Sequence, residues 1–330
     1  MLDVYCLCNP LFDVVATSTD DQLKDFGVAK ASMTLIDIDR QRAIMATVAA
    51  SINMQEAGGS GANTAIGVAR LGGKSAFGGC VGQDQNATAL TRSLVDDGVV
   101  PNFGQVDVDT GVCLVLLTPD GERTMLTCLG ASQHFSVADV NDEAIGNSKV
   151  LYVTGYLWDT EGQQNAVVHA MTTAKQAGSL VAFSLSDSFC VHRHASAFVQ
   201  LLRSHVDIVF GNAAETVAMS NCKTVEEACQ WLVELTGSTA VVTMGGDGCL
   251  IGDKSGVTHI PSLEVTVVDT TGAGDIFASG ILYGMLNGYT HTQMGRLATH
   301  LAAQVITQIG PRQHNLDVDG AKAYAFAQVP

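Results

Sequence analysis

Charge is scarce in this chain of 330 residues: Asp, Glu, Lys and Arg together make up 15%, against roughly 25% in an ordinary soluble protein. The basic half is the scarcer, 17 residues against 33 acidic ones, giving a formal net charge of −16. Such a surface repels polyphosphate backbones and anionic lipid, which argues against general nucleic-acid binding and membrane docking. An anion bound here must be held locally, by backbone N–H groups and a few placed cations. The start of the chain contains Asp3 and no Lys or Arg, so the positive region of a secretion signal is missing. Residues 276–295 carry no formal charge, but Ser279, Gly280, Asn287 and His291 interrupt them, which suits a buried helix better than a membrane span. The nine cysteines are odd in number and include no C-x-x-C pair, so they read as small buried residues of a reducing cytoplasm. No repeat, low-complexity linker or charged tail divides the chain.

What the sequence does hold is apolar residues, 47% of the total, and a clear alternation in the second half. Short apolar runs at 149–154, 179–185, 206–210 and 239–244 predict strands. Between them, 161–178, 193–204 and 224–237 carry helical spacing, and helices at 275–287 and 290–308 close the chain. Buried strands alternating with helices imply βαβ units, hence a three-layer α/β/α core around a mainly parallel sheet. The first half breaks this pattern. A core strand at 2–8 precedes more polar β segments at 13–19 and 32–38, and a hairpin turns at Asp120-Gly121 between strands at 111–118 and 122–129. These segments, approximately 13–38 and 103–130, are expected to form a small β-sheet lid projecting from the core. Helices are expected at 40–53 and 61–71, and a strand at 75–81.

The 34 glycines pose the question of phosphate binding. Gly72-Gly73-Lys74-Ser75 looks like the end of a P-loop, but Val68 stands where its first glycine belongs, and helix precedes strand rather than following it. The dinucleotide fingerprint fails as well, since Phe277 and Thr64 occupy the last glycine positions of the two candidates. The third candidate survives. From Glu264 an apolar strand is expected to pass through Thr271-Gly272-Ala273-Gly274 into a helix, so that small residues let several N–H groups converge at the positive end of a helix dipole. Asp275 lies beside that anion site, where a carboxylate can accept a hydroxyl proton while the nest stabilises a transferring phosphoryl group.

Five elements in one order raise this from a local pattern to a resemblance. Asp269-Thr-Thr-Gly-Ala-Gly-Asp275, Gly58-Gly-Ser-Gly-Ala-Asn63, Asn212-Ala-Ala-Glu215, Val241-Val-Thr243-Met-Gly245 with Gly248, and Asn9-Pro-Leu-Phe-Asp13 resemble the signatures of the ribokinase-like (PfkB) carbohydrate and nucleoside kinases. The resemblance implies a single domain over 1–330 with ATP and Mg²⁺ as cofactors. Asp275 would be the general base, and Gly272, Ala273 and Gly274 the anion hole. Asn9, Asp13, Gly59 and Asn63 would bind substrate hydroxyls. Asn212 and Glu215 would organise Mg²⁺ through water, and Thr243, Gly245 and Gly248 would line the ATP side. Asp269 and Thr271 resemble a monovalent-cation site, for K⁺, and Arg123 resembles a lid arginine that reaches the phosphates. Members pair through the lid or stay monomeric, so a homodimer is one of two expectations. Further runs, such as 181–186 and 206–212, are more similar to adenosine-kinase-like members, where Tyr156 or Trp158 would face a purine. A free sugar such as fructose or ribose is the alternative acceptor.

Plainer readings stand beside these. Asp13 starts a lid strand, Asn63 or Glu215 belongs to a helix end, and Arg123 is solvated on its hairpin. Cys190, His192 and His194 read as structural or surface residues rather than ligands. A non-catalytic sensor on the same fold and a nicotinamide oxidoreductase complete the alternatives. Asp275 beside an anion hole argues against the first, and the failed fingerprint against the second.

Overall fold

The computed structural model describes residues 1–310, 312 and 315–327. Its strands are β1 (Leu2–Leu7), β2 (Leu11–Thr17), β3 (Met33–Leu35), β4 (Ile52–Gly58), β5 (Ser75–Val81), β6 (Val99–Gln105), β7 (Thr110–Leu117), β8 (Arg123–Gly130), β9 (Ser148–Thr154), β10 (Leu180–Ser184), β11 (Ile208–Asn212), β12 (Thr239–Thr243), β13 (Cys249–Asp253) and β14 (Gly256–Ile260). A nine-stranded sheet runs β14-β13-β12-β11-β10-β9-β1-β5-β6, parallel except for the β12-β13-β14 edge. Both faces are covered, as the continuous apolar strands require. Alternation along β1 shows the two sides: Tyr5 and Leu7 join a core with Leu151 and Phe183, while Val4 and Cys6 join one with Phe77 and Tyr152.

The chain enters at β1 and later departs to β5 on one side and β9 on the other. The strand ends at this switch of direction open a crevice, the usual ligand-binding place in open parallel sheets. Over it stands a five-stranded sheet, β3-β8-β7-β2-β4. One face of that sheet has a core of its own, with Phe12, Val14, Leu114 and Leu126 packed on Leu23, Ile44 and Val48. The opposite face carries a line of register partners, Leu35, Thr127, Cys113, Asp13 and Glu56, drawn from five strands.

Three expectations need correction. The helix expected over 40–53 is Ile38–Val48 with a short 3₁₀ turn, and residues from Ile52 pair with β2 as a lid strand. The lid thus takes in 52–58, while 103–105 belong to the edge of the large sheet. The strand expected after Glu264 does not form: 261–270 contains no regular element, and its valines line a cavity instead of a sheet.

Candidate active site

The helix Ala273–Leu286 starts at Gly272, whose φ of 76° is left-handed and comfortable only for glycine. Ala273 N–H bonds to Thr270 O at 3.2 Å. Gly274 faces open space, so the helix start presents its glycine backbone to the crevice. Asp275, one residue on, points the other way. Its Oδ2 accepts from Asn63 Nδ2 at 2.9 Å, and its backbone carbonyl accepts from Thr64 Oγ at 3.3 Å. Both partners lie in the helix Ser60–Arg70, which follows the lid strand β4. Two chain segments more than 200 positions apart therefore fix the carboxylate.

Three cavities meet here. A cavity of about 440 Å³ lies beneath the lid, lined by Asn9, Asp13, Gly59, Asn63 and Asp275, by Met33, Leu35, Met125, Leu129 and Phe189, and by Asp159, Asp187 and Arg193. A smaller cleft of about 140 Å³ is lined by Asn212, Glu215, Thr243, Gly274 and Asp275. A third cavity, about 450 Å³, is lined by Thr243, Gly245, Gly248, Val265, Val267, Ala273 and Gly274. Asp275 borders the first and second, and Gly274 the second and third, so the helix start separates two large chambers joined by a narrow one.

The electrostatics follow from burial. Burial pushes Asp275 up to about 6, against the pull of Asn63, Ser60 and Arg312. Asp13 rises to about 7, through burial and the carboxylates of Glu56 and Asp275, with Arg312 opposing. Glu215, 4% exposed, also rises to about 7 through burial. Asp269 is the contrast. Burial works to raise it, yet bonds from Thr271 N–H and Oγ (2.9 and 2.7 Å), from Gly310 N–H (2.6 Å) and from Arg123 hold it below the usual carboxylate range.

The remaining expected residues fall as follows. Asn9 lines the large lid cavity, but its amide is engaged by protein at both ends, with Tyr156 O at 3.0 Å and Gln163 Nε2 at 2.9 Å. Asn212 and Glu215 form a reciprocal capping box at the helix Ala213–Ser220, so the helix-end reading of Glu215 holds alongside its place in the cleft. Arg123 reaches the first residue of the glycine turn rather than standing solvated on its hairpin: it pairs with Asp269 and donates to Thr271 Oγ at 2.8 Å. Trp158 packs edge-on against Phe198, whereas Tyr156 reaches the cavity wall.

Residues 28–317 match the profile described as pfkB family carbohydrate kinase. The chain belongs to that family. Among solved structures, a probable sugar kinase protein of Rhizobium etli is 36% identical with a TM-score of 0.90, the match covering 98% of both chains. The adenosine kinase of Sinorhizobium meliloti is 35% identical with a TM-score of 0.89, covering 98% of this chain and 99% of its own. The aminoimidazole riboside kinase of Salmonella typhimurium is 30% identical over 68% of this chain and 72% of its own length. This pfkB-family protein is a phosphotransferase acting on a sugar or nucleoside hydroxyl, with the ribokinase-like fold. No described helix is long and apolar enough to cross a membrane.

Sequence reasoning missed several residues that this kinase brings to the site. Ser60 sits inside the glycine signature and was open to discovery there. Asp187 caps the helix Ser188–His205, donating nothing and accepting from Cys190 N–H at 2.6 Å, and it lines the large lid cavity. Arg193, stacked 4.1 Å over the exposed Phe189 ring, carries no motif. Neither does Arg312.

Proposed function

We propose that this kinase moves the γ-phosphate of ATP to the primary hydroxyl of a nucleoside. The observation that carries the reading is the two-ended lid cavity. Its end at Asp13 suits a ribose, and the mainly apolar wall that β3 and β8 add, with Met33, Leu35, Met125 and Leu129, would stand empty over a free hexose. A base against that wall removes on the order of 100 Å² of apolar surface from water, roughly 2–3 kcal/mol. The test is an ADP-release and thermal-shift panel of adenosine, inosine, guanosine, ribose, fructose and ketogluconate. A nucleoside should exceed every free sugar in kcat/KM by about tenfold or more, and should stabilise the protein by mass action. A free sugar at the head of the ranking overturns the acceptor assignment.

In this reading ATP lies in the cavity of Thr243, Gly245 and Gly248, its terminal phosphate against the N–H groups of Gly272 and Gly274 with Ala273 between them. The helix dipole and those amides stabilise charge on the transferring group in a site otherwise poor in cations. Asp13, Gly59 and Asn63 orient the ribose, Asn9 buttressing the wall beside them. Asp275 takes the proton from the attacking hydroxyl. The lid covers the acceptor and keeps water from competing for the phosphoryl group. No three His, Cys, Asp or Glu side chains among the described residues are placed to ligate a metal directly. One carboxylate and one amide facing a small cleft suit a hydrated Mg²⁺ on the phosphates, with Asn212 and Glu215 holding its waters. That ion would neutralise charge on the phosphates. The K⁺ expectation fits less well, because Arg123 already supplies the positive charge at Asp269, and no step is assigned to it. The reading takes 1–330 as one catalytic unit working in the cytoplasm. It extends to pairing of two copies through the lid, which light scattering tests.

The pH dependence follows. Asp275 acts only when ionised, and its raised pKa of about 6 means that activity is lost as pH falls through that value. Asp13 at about 7 adds a second loss when it must accept from a substrate hydroxyl. We therefore expect kcat/KM for the acceptor to be level above pH ~7.5 and to fall with a slope greater than one below pH ~6. A profile that stays level down to pH ~5 refutes these assignments.

A further inference from the structure

Arg312 comes from a segment with no recognisable motif, is 7% exposed, and stands behind the site rather than in it. Its Nε–H donates to Asn63 Oδ1 at 3.1 Å, and one terminal nitrogen donates to Ser93 Oγ at 2.9 Å. The other terminal nitrogen is buried without a hydrogen-bond partner among the described residues. A guanidinium has donors and no acceptor, so Asn63 can show it only the carbonyl oxygen. The amide NH₂ must then face Asp275, where it donates at 2.9 Å. Turning the amide over would set oxygen against carboxylate and NH₂ against guanidinium.

Charge adds a second, independent observation. Asp13 and Glu56 are directly opposed across β2 and β4, a like-charge pairing that is unfavourable unless offset. Arg312 is a cation whose charge both of them feel, and Asp275 feels it too. Besides Arg312, the groups around Asp275 are Asp13, Cys6, Cys8, Tyr152 and Tyr156. Burial raises both thiols and both phenols, so they stay uncharged near neutral pH, and Asp13 titrates beside it.

We infer that Arg312 is a positioning residue for the proton acceptor: it locks the Asn63 amide so that a donor is held on Asp275, and its charge offsets the carboxylates gathered around the acceptor. The inference rests on Asp275 being the base. It goes beyond that assignment in giving the Arg312–Asn63–Asp275 relay control of when the base is ionised. Arg312 touches no reacting atom, so a purely structural staple from the C-terminal segment to Ser93 is the competing role.

The experiment compares R312M, R312K, R312Q, N63A and R312M/N63A, measuring kcat and both KM values from roughly pH 5.5 to 8.5. R312M should lower kcat near neutral pH by about tenfold and move the acid limb up by about one pH unit, with the KM for ATP unchanged. In the N63A background the same change should cost much less, since the relay is already cut. R312K keeps the charge and loses the fork. It should retain the wild-type acid limb while kcat falls severalfold, and R312Q, neutral but still able to donate to Asn63, should move the limb upward, which decides the matter even if R312M does not fold. An unmoved acid limb in R312M or R312Q, losses that multiply with N63A, or an R312K enzyme equal to wild type overturns the inference. If D275N retains turnover, the base assignment itself is wrong. D275N inactivity with an unmoved R312M profile removes only the role of Arg312.

Discussion

Asp275→Asn is expected to lower kcat by on the order of 10²- to 10⁴-fold, while ATP still protects the protein against thermal unfolding. The amide keeps the size and the contact with Asn63 but cannot accept the hydroxyl proton. The anion nest proposed at Gly272 and Gly274 belongs to the backbone at the helix start and is untouched, so nucleotide binding should persist. Stability supplies an internal control. An acid whose pKa rises from 3.8 to about 6 on folding binds more protons folded than unfolded between those values, so the fold loses stability as pH rises through them. A neutral residue relieves that loss, and the unliganded variant should melt no lower than wild type at pH ~7.5. Turnover within a few fold of wild type sinks the general-base assignment.

Gly58→Ala is expected to raise the KM for the acceptor roughly 10- to 100-fold, the cost of losing a charged hydrogen bond, while leaving the KM for ATP unchanged. A Cβ at Gly58 would overlap the Asp13 carboxyl group, on the neighbouring strand of the lid. The carboxylate must swing away, and the polar end of the acceptor cavity loses its anion. Steady-state kinetics with each substrate varied in turn separates this from general damage, which would move both KM values or kcat. An unchanged acceptor KM refutes the role given to Asp13.

The parts of this molecule that were readable in its sequence are those whose causes are local. The parallel core shows because strands covered on both faces must be apolar throughout, as at 149–154. The hairpin at Asp120-Gly121 shows because a tight turn needs those residue types, and β7 and β8 do pair around it. The glycine turn and Asp275 show because nest and carboxylate adjoin in sequence. What stayed hidden depends on distant partners. Residues 49–53 continue an alanine-rich helical run, and only pairing with β2 makes the following segment a strand. Val265, Val267 and Val268 have strand composition, but no strand adjoins them, and Val268 N–H bonds to Ile306 O instead. Arg312 meets Asn63 across 249 positions. No spacing rule spans such a distance.

The division between helix start and lid has an evolutionary consequence. In the proposed reading, phosphoryl chemistry resides in backbone amides and one carboxylate at the start of a single helix, whereas choice of acceptor resides in side chains such as Met33, Leu35 and Met125 on a separate small sheet. Replacements among those side chains can exchange one alcohol for another without disturbing catalysis. Such a division would account for relatives bearing names as different as sugar kinase, adenosine kinase and aminoimidazole riboside kinase.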